Sequence, residues 1–256
     1  VRVVVIDEAD RMLDMGFLPQ IKKIFQVLPK DRQTMLFSAT MPSEIVTIAA
    51  LYMRLPVRVE VAPAGTTVEQ VTQELFIVQK DRKIRLLGAL LEKHQGSTLV
   101  FMRTKYGAKR IVQKIRSLGI TAAELHSNRS LGQRREALDG FKSGKYRVLV
   151  ATDIASRGID VIGIEFVLNY DLPSTSDDYV HRIGRTARAG AGGHAISFVM
   201  PGQEKEVRAI ERLIRKILPV SKLPELPHLS VSDSIKSSCQ RPYFRECAYP
   251  RIKKPR

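Results

Sequence analysis

At 256 residues and 44% hydrophobic content, the chain has room for one large domain or two smaller ones, and it holds no apolar stretch long enough to cross a bilayer. Its two cysteines, Cys239 and Cys247, sit in an irregular C-terminal stretch, which excludes a disulfide framework or a cysteine-based zinc site and suits a reducing compartment. The net charge of +16 is uneven: residues 1–72 are neutral, residues 73–220 carry +11 and residues 221–256 carry +5, so the later part implies either a polyanionic partner or a solvated basic surface. The opening residues read as a strand and not as a secretory leader, and a cytoplasmic location is expected.

Short β-branched runs alternate with amphipathic stretches along the chain. The pattern predicts strands at Val3–Ile6, Thr34–Phe37, Val57–Val61, Leu75–Val78, Thr98–Phe101, Val148–Ala151, Phe166–Asn169 and Ala195–Val199. Helices are predicted between them, as over Lys105–Leu118, where Ala108, Ile111, Val112, Ile115 and Leu118 recur on one face, and over Leu131–Phe141. Apolar strands alternating with helices imply an α/β fold with a parallel sheet covered on both faces. The segment APAGTT at 62–67 has the composition of a linker, and a boundary is placed over residues 63–72. Residues 73–217 hold about six strand–helix units, enough for a complete small domain, assigned over 73–220, whereas residues 1–62 hold three predicted strands and two helices. Residues 221–256, rich in Pro, Ser, Lys and Arg, read as a basic, disordered tail.

Ligands of parallel α/β sheets gather at the C-terminal ends of strands, and four polar clusters fall there. Asp7, Glu8 and Asp10 follow the first strand; such carboxylates either hold Mg²⁺ through water or face the dipole of a helix N-terminus. Ser38 and Thr40 follow the second strand and either bond the acidic loop or cap the helix that Pro42 begins. Thr152 and Asp153 follow another strand, with Gly158 and Asp160 close behind; Asp160 suits a ribose hydroxyl. The fourth cluster is HRIGRTAR at 181–188, whose Arg185 and Arg188 suit phosphate because a guanidinium offers two parallel N–H donors.

DEAD at 7–10, SAT at 38–40, LVFMRTK at 99–105, VLVATDIASRGID at 148–160 and HRIGRTAR at 181–188 occur in an order that resembles a DEAD-box RNA helicase. FKSG at 141–144 and NYDLP at 169–173 look closest to the bacterial RhlE-like branch, and the resemblance covers roughly residues 1–215. It implies two RecA-like domains, one partial (1–62) and one complete (73–220), that clamp ATP and grip RNA. By resemblance, Asp7 holds hydrated Mg²⁺ and Glu8 positions or activates the attacking water. Asp10, Ser38, Thr40 and His181 couple hydrolysis to RNA binding, and Asp160 meets the ribose. Arg185 and Arg188 act as arginine fingers, while Thr104, Lys105, Arg134 and Thr152 contact RNA phosphates.

Three departures stand out. Leu131 occupies a position where the family usually has Gln, Ser127 replaces a frequent Gly, and Ala187 replaces another. A larger one is that no G-x-x-x-x-G-K-[ST] phosphate loop occurs; the nearest string, Ser143-Gly144-Lys145-Tyr146, lacks the upstream glycine and the hydroxyl. The chain is therefore expected to be the C-terminal portion of a longer helicase, monomeric, and inactive as an ATPase by itself. Residues 1–62 are expected to be loosely held.

Overall fold

The computed structural model describes residues 1–38, 40–60, 71–156, 161, 163–187 and 192–224. They form two parallel sheets. In the first unit β1 (Val3–Ile6) pairs in parallel with β2 (Gln33–Leu36), and three helices follow the strands: α1 (Ala9–Asp14), α2 (Leu18–Val27) and α3 (Ser43–Tyr52). Ile6, Ala9, Ile21, Phe25 and Ile45 make a small core, extended by Phe25 stacking on Tyr52 at 4.4 Å.

The second unit is a six-stranded, all-parallel sheet. Its strands are β3 (Val71–Ile77), β4 (Thr98–Met102), β5 (Ala122–Leu125), β6 (Val148–Thr152), β7 (Phe166–Asn169) and β8 (Gly193–Val199), in the order β3-β8-β7-β4-β6-β5. Side chains of a strand alternate between faces, and β4 shows this plainly. Leu99 and Phe101 enter one apolar cluster, while Val100 and Met102 enter the other. Helices α4 (Lys83–Lys93) and α5 (Lys105–Ser117) cover the second face with Leu86, Leu87, Leu90, Ile111, Val112 and Ile115. The first face is covered by α6 (Leu131–Lys142), α8 (Ser176–Ile183) and α9 (Glu204–Ile214), with the short α7 (Asp153–Ser156) at the end of β6. The apolar spacing of α5 thus packs as its period requires, with Leu118 outside the helix as its C-cap and exposed.

Several expectations are corrected. The first unit has two strands and three helices among the described residues, not three and two. Residues 57–60, read as part of a strand, pair with no strand among the described residues, and Val57 and Val59 are exposed; β-branching favours an extended backbone but supplies no partner for its N–H and C=O groups. Strand β5, with the sequence AAEL, carries no β-branched residue and escaped notice for that reason. Strand β3 opens at Val71, inside the span read as linker, and residues 61–70 lie outside the described set. The stretch read as a tail starts ordered: Leu75 N–H donates to Pro219 O at 3.0 Å and Ser221 N–H to Leu75 O at 2.9 Å, covering the free edge of β3. Residues 225–256 lie outside the described set.

Candidate functional site

The acidic loop leaves β1 at Ile6 and enters α1 within two residues. The turn passes through Glu8, which adopts φ 50° and ψ 48°. A non-glycine residue in this left-handed region costs about 1–2 kcal/mol, and such strain is held where the surroundings fix it. Here Glu8 O accepts the N–H groups of Arg11 and Met12 at 3.0 Å, and Ala9 N–H donates to Phe37 O at 3.0 Å. Asp7 is exposed, its Oδ1 accepting Glu8 N–H at 2.9 Å; Glu8 is half-buried.

Asp10 is buried and ties the two strand ends together. Its N–H donates to Ser38 Oγ at 3.0 Å, and its Oδ2 accepts both Thr40 N–H at 2.8 Å and Thr40 Oγ1–H at 2.9 Å. Burial alone would raise its pKa. The hydrogen bonds from Thr40 and Arg11 N–H, with the positive potential of His181, outweigh this and hold the carboxyl below its ordinary value. Of the two readings open for Ser38 and Thr40, bonding to the acidic loop is what the side chains do, and α3 has Pro42 as its N-cap.

In the second unit the strand ends form a polar rim. Thr104 caps α5, its Oγ1 accepting Gly107 N–H at 3.1 Å, and Lys105 Nζ donates to Asn128 Oδ1 at 2.9 Å. Thr152 closes β6, and Arg134 donates from α6 to Ala155 O at 3.4 Å. Leu131, on the same face as Arg134 three residues earlier, is exposed and apolar. Beneath this rim His126 lies buried at 3.0 Å from Glu124, which also pairs with Arg129. Burial, then the charges of Lys105 and Lys109, push the His126 imidazole below its usual value.

Helix α8 carries the last motif and separates its arginines. Arg182 is buried and fully engaged: Nε and Nη2 grip Asp153 at 2.6 and 2.8 Å, and Nη1 donates to Asn169 Oδ1 and Asp171 O at 3.0 and 2.7 Å. It also lies over the Phe101 ring at 4.9 Å. Arg185 instead lines a cleft between the units together with Glu8, Arg11, Asp178 and His181. The cleft is narrow, with about 10 Å³ of free volume, the scale of one water.

Two family descriptions match the chain: DEAD/DEAH box helicase over residues 1–48 and helicase conserved C-terminal domain over residues 82–190. A solved structure of the Escherichia coli DEAD-box protein SrmB, bound to regulator of ribonuclease activity A, is 33% identical with a TM-score of 0.57. The match takes in 62% of this chain and 94% of that one. The chain belongs to the DEAD-box helicase family. Among DEAD-box proteins it is 42% identical over 211 residues to the ATP-dependent RNA helicase DbpA of Bacillus subtilis, across 82% of this chain and 44% of that protein. Saccharomyces cerevisiae Dbp5 bound to RNA and ADP BeF₃ gives a TM-score of 0.78 at 32% identity, over 86% of this chain and 59% of that one. The chain spans about half the length of the curated relatives it matches.

The two parallel sheets are accordingly RecA-like DEAD-box domains. Of the residues singled out from sequence, Asp7, Glu8, Asp10, Ser38 and Thr40 come together at one strand-end rim, with His181 and Arg185 facing them across the cleft. Thr104, Lys105, Arg134 and Thr152 share the rim of the other sheet. Asp160 and Arg188 lie outside the described residues. Ala187 has φ 54°, a conformation that favours the glycine usual in DEAD-box proteins at this position. Sequence reasoning missed Arg11, Asn128 and Arg182 as structural members of the site, and it placed Asp153 in a strand-end cluster without giving it a role. The signal for Arg182 was present, since it lies inside a recognised motif.

Proposed function

We propose that this chain is the water-activating and arginine-finger part of an ATP-dependent RNA helicase, which unwinds short RNA duplexes by locally straining one strand. The observation that carries the reading is the cleft in which Glu8 and Arg185 meet, with Asp10 bonded to Ser38 and Thr40 and set in the field of His181.

The donors fit a hydrated Mg²⁺: Asp7 and Glu8 offer hard carboxylate oxygens, and among the described residues no group of three potential ligands forms a closed cage. Mg²⁺ characteristically keeps waters and takes one or two carboxylates together with substrate phosphates. Bound there, the ion would neutralise charge developing on the transferring phosphoryl group. Glu8 then orients the attacking water and draws its proton, its rigid left-handed backbone fixing where the carboxylate points. Arg185, with Arg188, offers N–H donors to the γ-phosphate, a contribution of about 10³–10⁵ in rate or roughly 4–7 kcal/mol of barrier. Asp160 holds the ribose. Thr104, Lys105, Arg134 and Thr152 take RNA phosphates, which position a strand without reading its sequence. The RhlE-like assignment rests on FKSG and NYDLP. A monomer acting in the cytoplasm is the corresponding cellular reading.

A second reading applies to the chain taken alone. Its sequence has no G-x-x-x-x-G-K-[ST] loop to cradle phosphates, so by itself it acts as an RNA-binding module. RNA-stimulated ATP hydrolysis separates the two. The 256-residue chain should show none, and a version extended to include a phosphate loop should show turnover that Arg185→Ala lowers by about 10³-fold or more, with nucleotide-free RNA binding retained. Turnover by the short chain would sink the second reading, and none by the extended chain would sink the first. RNA affinity should fall with salt by about 0.7 log units per released counterion.

A further inference from the structure

Arg11 directly follows the acidic loop. It is 7% exposed and bears a full charge, yet among the described residues its guanidinium has one partner, Asp178. Its Nε is buried without a hydrogen bond. Asp178 belongs to the other unit, in the first turn of α8, where Thr175 fixes it twice: Thr175 Oγ1 accepts Asp178 N–H at 3.2 Å and donates to Asp178 Oδ2 at 2.9 Å. A buried charge is tolerated only when compensated. The compensation of Arg11 is therefore supplied across the cleft, and it ends when the units part.

Helical geometry extends the consequence. Residues three and four apart share a face, so Asp178, His181 and Arg182 follow one another along α8. Asp178 meets Arg11, His181 sits in the field of Asp10, and Arg182 anchors the helix to Asp153. We propose that Arg11 and Asp178 are positioning residues for hydrolysis: their ion pair registers closure of the units and brings Arg185, one turn beyond His181, to Glu8. The proposal rests on the helicase reading above.

The test uses the full-length protein that contains this chain. Four forms are compared: wild type, Arg11→Ala, Asp178→Asn, and the exchange Arg11→Asp with Asp178→Arg. Asp178→Asn keeps the Thr175 cap, because the N–H it uses is backbone. Two readouts are taken, RNA-stimulated kcat and closure in the presence of ATP, the latter from energy transfer between dyes on α2 and α9. Each single variant should lower kcat about tenfold or more and reduce energy transfer, as loss of a buried pair's partner implies. Nucleotide-free RNA affinity should be unchanged, and the exchange should recover at least part of both losses. Single variants with wild-type kcat and energy transfer would overturn the proposal, as would an exchange no better than either single variant. A wild type that closes but fails to hydrolyse would overturn the helicase reading, and energy transfer in the variants would still decide the pair.

Discussion

Strands β1 and β4 are both apolar and parallel, yet they are buried to different degrees. Every residue of β4, TLVFM, is buried, with partners β7 and β6 on its two sides and helices over both faces. In β1, VVVI, only Ile6 is buried, while Val3 and Val5 are 49% and 54% exposed. A β-branched run declares that a strand can be buried, but the neighbours in the fold decide whether it is. The contrast also divides the site. The rim proposed to take RNA stands on the six-stranded sheet, whereas the acidic loop stands on two strands and a five-residue core, with hydrogen bonds around Glu8 and from Asp10 to Ser38 and Thr40.

The sharpest way to break this comparison is to remove equivalent apolar groups from the two sheets. Leu149→Ala, at a fully buried position in β6, should cost about 2–5 kcal/mol in chemical denaturation of the second unit. Val5→Ala, on an exposed face, should stay within about 0.5 kcal/mol. Comparable losses would mean that β1 is packed in solution as β4 is.

Next in size is the anchor of α8. Arg182→Ala removes the guanidinium that donates to Asp153 and Asn169, and breaking a buried pair costs about 3 kcal/mol or somewhat more. Arg182→Lys should recover little, since one ammonium cannot reproduce the two-pronged grip on Asp153. Full recovery in thermal melts would reduce the contact to simple charge.

Ala187→Gly is a smaller change of opposite sign. It should stabilise the second unit by about 1 kcal/mol through release of the left-handed strain at φ 54°, offset in part by the greater unfolded-state freedom of glycine. A melting temperature that falls would contradict this.

The smallest effect tests the first unit by pH. The folded pKa of Asp10 is lowered, so its contribution to stability is present above the ordinary carboxylate range and is lost as pH falls through the lowered value. Carbon-13 titration of the Asp10 carboxyl should give a midpoint below that of the unfolded chain. Thr40→Val, which removes one of its hydrogen bonds, should move the midpoint upward; no movement would assign the shift to other groups.

Much of this was legible in the sequence because it is local. The strands of the second unit other than β5 follow from apolar runs, the acidic loop, Ser38 and Thr40 follow from motif wording at strand ends, and Arg185 follows from motif wording just past a helix. What was not legible depends on pairing at a distance. Strand β5 is made of alanine, glutamate and leucine, and becomes a strand only because β6 is beside it. Residues 57–60 have the composition of a strand but pair with no strand among the described residues. Arg11 and Asp178 are 167 residues apart, and nothing in one sequence marks them as partners. Arg182 and Arg185 share a motif, but only packing distinguishes the one that braces the helix from the one that lines the cleft.

Native-state hydrogen exchange of the 256-residue chain tests the central contrast most directly. The account predicts that β4 and β6 amides open only with global unfolding of the second unit, while β1 and β2 amides exchange at least about a hundredfold faster through local opening. Equal protection of the two sheets would contradict it.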